Sequence, residues 1–195
     1  MDLHSSGTIA TFRSPLLDRF PEIGHAFSTR QGGVSEGTHA SLNLTTSTGD
    51  ERARVAENRL RLCTAIGADP ARLTIPRQVL SANVVDLRPD HVGGVTPESA
   101  DAIVTDAAGI PTMTLSADCV LILLYDPVHR AVANVHSSRL GTFGRIVPRA
   151  IERLRERFGA QPEDLVAAIG PSIGPCCYDV GPDVAEPWRR ELGDR

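Results

Sequence analysis

The stretch that decides the fold is ADCVLILLYDPVHRAVANVH, residues 117–136. It contains two apolar runs, 119–125 and 131–136, which are rich in the branched residues that favour β-strands. Asp126 and Pro127 lie between the runs, and both are typical turn residues. The stretch therefore predicts a β-hairpin whose first strand is buried.

The hairpin places two chemically active side chains near each other. If its loop is formed by residues 126–129, Cys119 lies directly opposite His136, and their Cβ atoms are about 4.5–5.5 Å apart. Asn134 adds a polar group to the same face of the sheet as His136. A thiolate and an imidazole in this arrangement either share a metal ion or form a nucleophile–base pair. A structural alternative remains, because buried cysteines usually act as small apolar residues.

The rest of the chain predicts an α+β fold in one domain, residues 1–195. Helices and strands alternate without a regular strand–helix–strand rhythm, which favours mixed sheets over a doubly wound parallel sheet. The periodicity predicts helices at 51–66 and 142–158, and further strands at 22–29, 77–87, 101–105, 111–116 and 165–169.

Composition excludes several classes of function. The 195 residues include 20 arginines, no lysine and 24 acidic residues, for a net charge of −4. Lysine Schiff-base chemistry and the phosphate-binding lysine of a Walker loop are therefore excluded. The one arginine-rich segment, 145–157, is interleaved with glutamates, so it indicates a solvated helix face and no nucleic-acid partner.

The sequence also argues against a membrane protein and against a copper oxidase. No apolar stretch reaches the roughly 20 residues of a membrane span, and the first residues lack the layout of a signal peptide, so we expect a cytoplasmic protein with no membrane partner. The six histidines include no His-x-His pair, which disfavours copper as a cofactor.

Several motifs resemble those of the laccase-domain family, also called YfiH-type or polyphenol oxidase-like. They are ADCVLILLYDP at 117–127, HAFSTRQGGVS at 25–35, SLNL at 41–44, QV at 78–79, DAIVT at 101–105 and IGPSIGPCCYDVG at 169–181. The resemblance implies a layered α/β/β/α sandwich with two mixed sheets. It also implies phosphorolysis of purine nucleosides such as adenosine, inosine and methylthioadenosine, with one zinc ion at the active site.

The resemblance assigns the zinc ligands to three positions, and one of them is occupied by a residue that cannot bind metal. Cys119 and His136 match two ligands, and the third family position falls on Leu80. Because a catalytic zinc takes three protein ligands, we expect zinc binding to be weak or absent. His91 is a possible substitute ligand from a nearby loop.

The resemblance also places an anion pocket near the metal. Arg30, with Ser35 and Asn43, would contact phosphate and substrate, and arginine suits bidentate recognition of phosphate. Alternatively, these polar groups satisfy their own turn. Arg139 lies in HSSRLG, where the family has a tryptophan–arginine pair, and it could take over an anion contact from one position earlier.

Three functions remain open. The first is a zinc-dependent purine nucleoside phosphorylase, with a purine nucleoside and phosphate as its small-molecule partners. The second is a non-catalytic family member that keeps the fold for a binding role, which the leucine at position 80 favours. The third is a metal-free hydrolase or deamidase in which His136 deprotonates Cys119. In addition, the chain ends earlier than usual for the family, so we expect it to lack the family's C-terminal part.

Overall fold

The computed structural model describes residues 1–89 and 93–193 and contains a central five-stranded mixed sheet. The strands of the chain are β1 Asp2–Ser6, β2 Ile9–Arg13, β3 Phe27–Ser28, β4 Thr74–Arg77, β5 Val84–Asp86, β6 Gly94–Ser99, β7 Ala102–Thr105, β8 Val120–Asp126, β9 Ala131–Ser137 and β10 Val166–Ile169. The central sheet has the order β10-β8-β9-β7-β5, and only β5 and β7 run parallel.

In the part of the chain that the structure describes, four α-helices and three short 3-10 helices surround the strands. They are α1 Arg52–Ala65, α2 Arg139–Phe143, α3 Ile146–Phe158 and α4 Pro182–Leu192, with 3-10 turns at Gly37–His39, Pro70–Arg72 and Pro162–Asp164. Within the described residues, no helix has the length and the apolar composition needed to cross a membrane.

Helix α3 covers one face of the central sheet. Its buried residues Ile146, Ala150 and Leu154 recur every four positions, so they lie along one side of the helix. They pack against the alternate β9 residues that include Ala133 and Val135. This contact forms the main apolar core and leaves the other face of the sheet for the second layer.

The second layer consists of two small sheets with α1 behind them. The antiparallel sheet β1-β2-β3 contacts the central sheet through Phe27, which packs with Tyr125. Strands β4 and β6 form a parallel pair, and Cys63 of α1 packs against Ile75 of β4. The layers confirm the predicted mixed α/β architecture, although the second layer is divided between two small sheets.

The hairpin forms as predicted, but the predicted register is wrong. Strand β8 pairs with β9 so that Leu121, and not Cys119, lies opposite His136. Asp126 belongs to the strand and pairs with Ala131, because its carboxylate accepts hydrogen bonds from the Val128 and His129 amides and holds the turn from the strand end. The loop therefore shifts by one residue to 127–130.

Four other predicted elements are shorter or divided. The 77–87 strand is interrupted after Arg77, because residues 79–81 bend to donate hydrogen bonds to a buried carboxylate. The 142–158 helix is two helices, separated where Arg145 has a φ of 61°. Strand formation in 22–29 is limited to Phe27–Ser28, and 111–116 makes only an isolated bridge at Thr112.

The packing of α3 leads to a stability prediction. Leu154 is fully buried between the helix and the sheet. We expect Leu154→Ala to lower the free energy of unfolding by about 2–5 kcal/mol, because it leaves a cavity in the core. Urea denaturation measures the change. The helical control Leu60→Ala removes a side chain that is 45% exposed and should change the value by less than about 0.5 kcal/mol. Equal losses in the two variants would contradict this packing.

Candidate functional site

The site is centred on His136, which β9 places on the face of the sheet opposite α3. The side chain is 4% exposed, and its Nδ1 lies 2.9 Å from the Asp101 carboxylate. The His136 amide also donates to the Asp101 carbonyl at 2.7 Å, which continues the β7–β9 pairing by one residue. Two hydrogen bonds to one residue therefore fix both the backbone and the ring of His136.

Asp101 is the most highly bonded acidic side chain at the site. It is fully buried, and its carboxylate accepts hydrogen bonds from His136 Nδ1, from the amides of Val79, Leu80 and Ser81, and from Ser81 Oγ, at 2.7–3.2 Å. Burial raises the pKa of this carboxyl, but the hydrogen bonds from His136, Ser81 and Val79 outweigh that effect and hold the pKa below its ordinary value. Asp101 is therefore an anion that joins His136 to the loop of residues 78–81.

The same loop is tied to the segment that precedes Cys119. Gln78 forms two hydrogen bonds with the Leu115 backbone, at 2.8 Å to its carbonyl and 2.7 Å from its amide. Leu80 then takes a left-handed conformation, with φ at 59°, and its side chain is 51% exposed. Position 80, which the family resemblance assigns to the third zinc ligand, is thus tied to His136 through Asp101, and its loop is tied to Leu115 through Gln78.

Cys119 lies one residue before β8 and is partly exposed. The observed register differs from the predicted one by two positions, and Cys119 precedes the paired residues of β8. The predicted direct pairing of Cys119 with His136 is therefore wrong, and their sharing of one site stays a prediction. Cys119 and His136 remain the proposed centre of the site.

The side chains at this centre do not fit a catalytic zinc ion. The set provides one thiol and one imidazole, and the third position is a leucine. Among residues 1–89 and 93–193, no group of three histidine, cysteine, aspartate or glutamate side chains is arranged to bind a metal. His91, the possible substitute ligand, lies outside the described residues.

Ser35 and Asn43 belong to a polar network that stabilises their own loop. Both donate hydrogen bonds to Asp50, and the bonds from Ser35 and Asn43 lower the pKa of that carboxyl. The fully buried Asn58 of α1 donates to Ser35 Oγ and to the Asn43 carbonyl. These contacts correspond to the structural alternative for Ser35 and Asn43.

The two candidate anion-binding arginines lie at the surface. Arg30 is exposed and donates from Nε and Nη2 to the Ala40 carbonyl, which leaves its other N–H groups available. Arg139 is the first residue of α2, three residues after His136, and it is also exposed. No hydrogen bond within the described residues joins either guanidinium to Cys119, His136 or Leu80.

A cavity of about 820 Å³ lies beside this centre and is a different space. It separates the central sheet from α1, with Leu121, Leu123 and Asn134 on one wall and Leu62 and Cys63 on the other. Its Asn134 side chain bonds to Thr112 and Thr114, so this amide is not part of the centre at His136. The cavity lining does not include the five proposed site residues: Arg30, Asn43, Leu80, Cys119 and His136.

Sequence reasoning missed Asp101 and Gln78 as site residues. Both were present in motifs that had been recognised, DAIVT and QV, but neither is a metal ligand or a nucleophile. The available signal was the place of Asp101, immediately before the apolar strand that follows it. A carboxylate there is expected to be buried, and a buried charge requires hydrogen-bond partners. The partners are loop amides more than 19 positions away, which periodicity does not reveal.

A family model and several known proteins match this chain. The model described as multi-copper polyphenol oxidoreductase laccase matches residues 24–194. The chain belongs to this family. It is 42% identical over 180 residues to a purine nucleoside phosphorylase of Deinococcus radiodurans and 34% identical over 180 residues to one of Bacteroides thetaiotaomicron. The matches cover 90% and 89% of this chain, but 67% of each relative.

Further matches show variation in the named activities of this laccase-like family. A protein named adenosine deaminase RL5, from an unknown prokaryotic organism, is 37% identical over 172 residues, which are 85% of this chain and 65% of that protein. Among solved structures, YlmD from Geobacillus stearothermophilus superposes with a TM-score of 0.83 at 28% identity, covering 97% of this chain and 72% of YlmD. The chain thus spans about two thirds of the length of these relatives and shares their fold.

The position of Leu80 gives a direct prediction about zinc in this laccase-like protein. The purified chain should contain well under one zinc ion per molecule, because only two of the three family ligand positions carry donors. Leu80→His should bind zinc at least tenfold more tightly than the wild type, since it supplies the third donor. Calorimetric zinc titration of both proteins measures the difference.

A neighbouring substitution controls for a nonspecific effect of adding histidine. Val79→His places an imidazole on the same loop, one residue away, at a side chain that is equally exposed. It should leave zinc affinity close to that of the wild type. The assignment of position 80 to the site is wrong if Leu80→His and the wild type bind zinc equally, or if Val79→His gains as much as Leu80→His.

Proposed function

We propose that this chain is a purine nucleoside phosphorylase-type protein that binds a purine nucleoside and phosphate beside His136. The observation that carries the proposal is the buried Asp101–His136 pair, which leaves His136 Nε2 as the available ring nitrogen at the site. Further support comes from the relatives named purine nucleoside phosphorylase, which match about nine tenths of this chain.

Each proposed residue has a defined task in phosphorolysis. In this reaction, a phosphate oxygen forms a bond to C1′ of the ribose while the bond from C1′ to the purine nitrogen breaks. The electron pair of that bond goes to the purine, which takes up a proton. His136 accepts the proton of the attacking hydrogen phosphate at Nε2 and passes it to the purine, and Asp101 holds the ring in place. Arg30 is our candidate for the phosphate contact, because its free N–H donors suit an anion.

Turnover should be slow compared with relatives that carry histidine at the family's third ligand position. The family's zinc, where bound, supplies Lewis-acid activation, and the donor set of this chain does not fit that ion. The reaction here therefore depends on the proton transfer by His136, which Asp101 holds in place, and on the binding of phosphate by Arg30. Asn43 contributes indirectly, because its amide holds the loop that follows Arg30 through Asp50.

Two alternatives rest on separate observations. A Cys–His hydrolase or deamidase is favoured by the hydrogen bond from His136 Nδ1 to Asp101, because a carboxylate that orients the base is the third member of such sites. The relative named adenosine deaminase RL5 adds to this alternative. A non-catalytic binding role is favoured by Leu80, which supplies no donor.

One assay distinguishes the proposal from both alternatives. The purified chain is incubated with adenosine, inosine or methylthioadenosine, with and without phosphate, and products are separated by chromatography and mass spectrometry. We expect free base and ribose 1-phosphate (5-methylthioribose 1-phosphate from methylthioadenosine) that form only when phosphate is present. His136→Gln should lower the rate by about 10²–10⁴-fold, the usual contribution of a general acid–base group.

The matched control is His129→Gln, since His129 also bonds to a buried aspartate, Asp126, but lies at the other end of the hairpin. Its rate should remain within about twofold of the wild type. Conversion of adenosine to inosine without phosphate would favour the deaminase alternative. The absence of any product would favour the binding role, and either result contradicts the proposal.

A further inference from the structure

We propose that Asp101 is a positioning residue that sets the proton of His136 on Nδ1 and, with the same carboxylate, fixes the backbone of Leu80 beside it. The two carboxylate oxygens divide these tasks. Oδ1 accepts from His136 Nδ1 at 2.9 Å and from the Leu80 amide at 3.2 Å. Oδ2 accepts from the Val79 amide, the Ser81 amide and Ser81 Oγ.

The number of donors fixes the ionisation of Asp101 and the tautomer of His136. Four of the five contacts come from backbone amides and a hydroxyl, and a backbone N–H only donates. A carboxylate that accepts on both oxygens has no proton to give, so the ring nitrogen that faces it must carry the hydrogen. His136 Nδ1 is therefore the protonated nitrogen, and Nε2 keeps its lone pair when the ring is neutral.

The same geometry explains why position 80 is held in an unusual conformation. A leucine with φ at 59° lies in the left-handed region, which is unfavourable for a residue other than glycine. The three consecutive amides of residues 79–81 reach one carboxylate only when the chain bends at this point. Asp101 thus links the His136 ring to the backbone at position 80, which the family resemblance assigns to a zinc ligand.

Asparagine at position 101 tests this coupling, because it keeps the size of the side chain and replaces one oxygen with an NH₂ group. The amide oxygen should take the Oδ2 position, where three donors converge. The NH₂ group then faces His136 Nδ1 and the Leu80 amide. It can only donate, so His136 must accept at Nδ1 and move its proton to Nε2, and the Leu80 amide loses its acceptor.

The experiment uses long-range ¹H–¹⁵N correlation spectra of the full chain at alkaline pH. The His136 signals are assigned by their loss in His136→Gln. We expect the wild type to carry its proton on Nδ1 and Asp101→Asn to carry it on Nε2. Amide hydrogen exchange should become about tenfold faster or more at Leu80 in Asp101→Asn, and should change less at Ser81.

The matched control is Asp126→Asn, which alters the other fully buried aspartate with a histidine partner. It should leave both the His136 tautomer and the Leu80 amide as in the wild type, even if it lowers stability to a similar extent. An unchanged His136 tautomer in Asp101→Asn overturns the proposal. If that variant does not fold, the wild-type spectrum still decides, because a proton on Nε2 there also overturns it.

The kinetic consequence rests on the proposed phosphorylase function. With Nε2 protonated, His136 cannot accept a proton at the site, so kcat should fall by about 10²–10⁴-fold in Asp101→Asn while KM for the nucleoside changes little. The spectra and the exchange rates require no turnover. A correct tautomer switch in a chain without phosphorolysis would therefore contradict the proposed function and leave the positioning role of Asp101 intact.

Discussion

The hydrogen bonds to the buried Asp101 carboxylate are the interaction on which the rest of the site depends. A fully buried charge is costly unless its hydrogen-bonding capacity is used, and here five donors from two separate segments use it. The segments are the 79–81 loop and β9, which lie far apart in sequence. The carboxylate therefore determines where the loop meets the central sheet and how His136 is oriented.

This constraint explains how the loop of residues 78–81 holds its conformation with a leucine at position 80, the position that the family resemblance assigns to a zinc ligand. The conformation of residue 80 is fixed by its backbone amide and by Gln78, and neither contact depends on the side chain at position 80. A leucine can therefore occupy the position without rearranging the loop. The loop is therefore held by Asp101 and Gln78, while its side chain at position 80 supplies no metal donor.

The sequence predicts the parts of this structure that arise from local patterns. The apolar runs on either side of Asp126 and Pro127 identify the hairpin, and the periodicity of 51–66 predicts the helix that the structure shows at Arg52–Ala65. The exact register escapes prediction, because Asp126 is both a strand residue and the acceptor that closes the turn. This error removes the predicted pairing of Cys119 with His136, because Leu121 occupies the position opposite His136 and Cys119 precedes the strand.

Non-local hydrogen bonds account for what the sequence does not reveal. Asp101 and Gln78 form hydrogen bonds with backbone groups at positions 79–81 and 115. Because nearly every residue type carries the same backbone groups, the amino-acid pattern does not show these bonds. The same reason applies to Asn43, whose amide resembles a substrate contact in the sequence but bonds to Asp50 in the structure. Residue type predicts the chemistry of a side chain, whereas only the fold shows whether that chemistry is already satisfied.

The central claim is that small molecules bind beside His136 and not in the larger cavity between the central sheet and α1. A crystal structure of this chain soaked with inosine and phosphate tests it most directly. The account predicts that the nucleoside lies within hydrogen-bond distance of His136 Nε2, near Cys119 and Leu80. A nucleoside bound instead against Leu123, Asn134 and Leu62, in the 820 Å³ cavity, would contradict it.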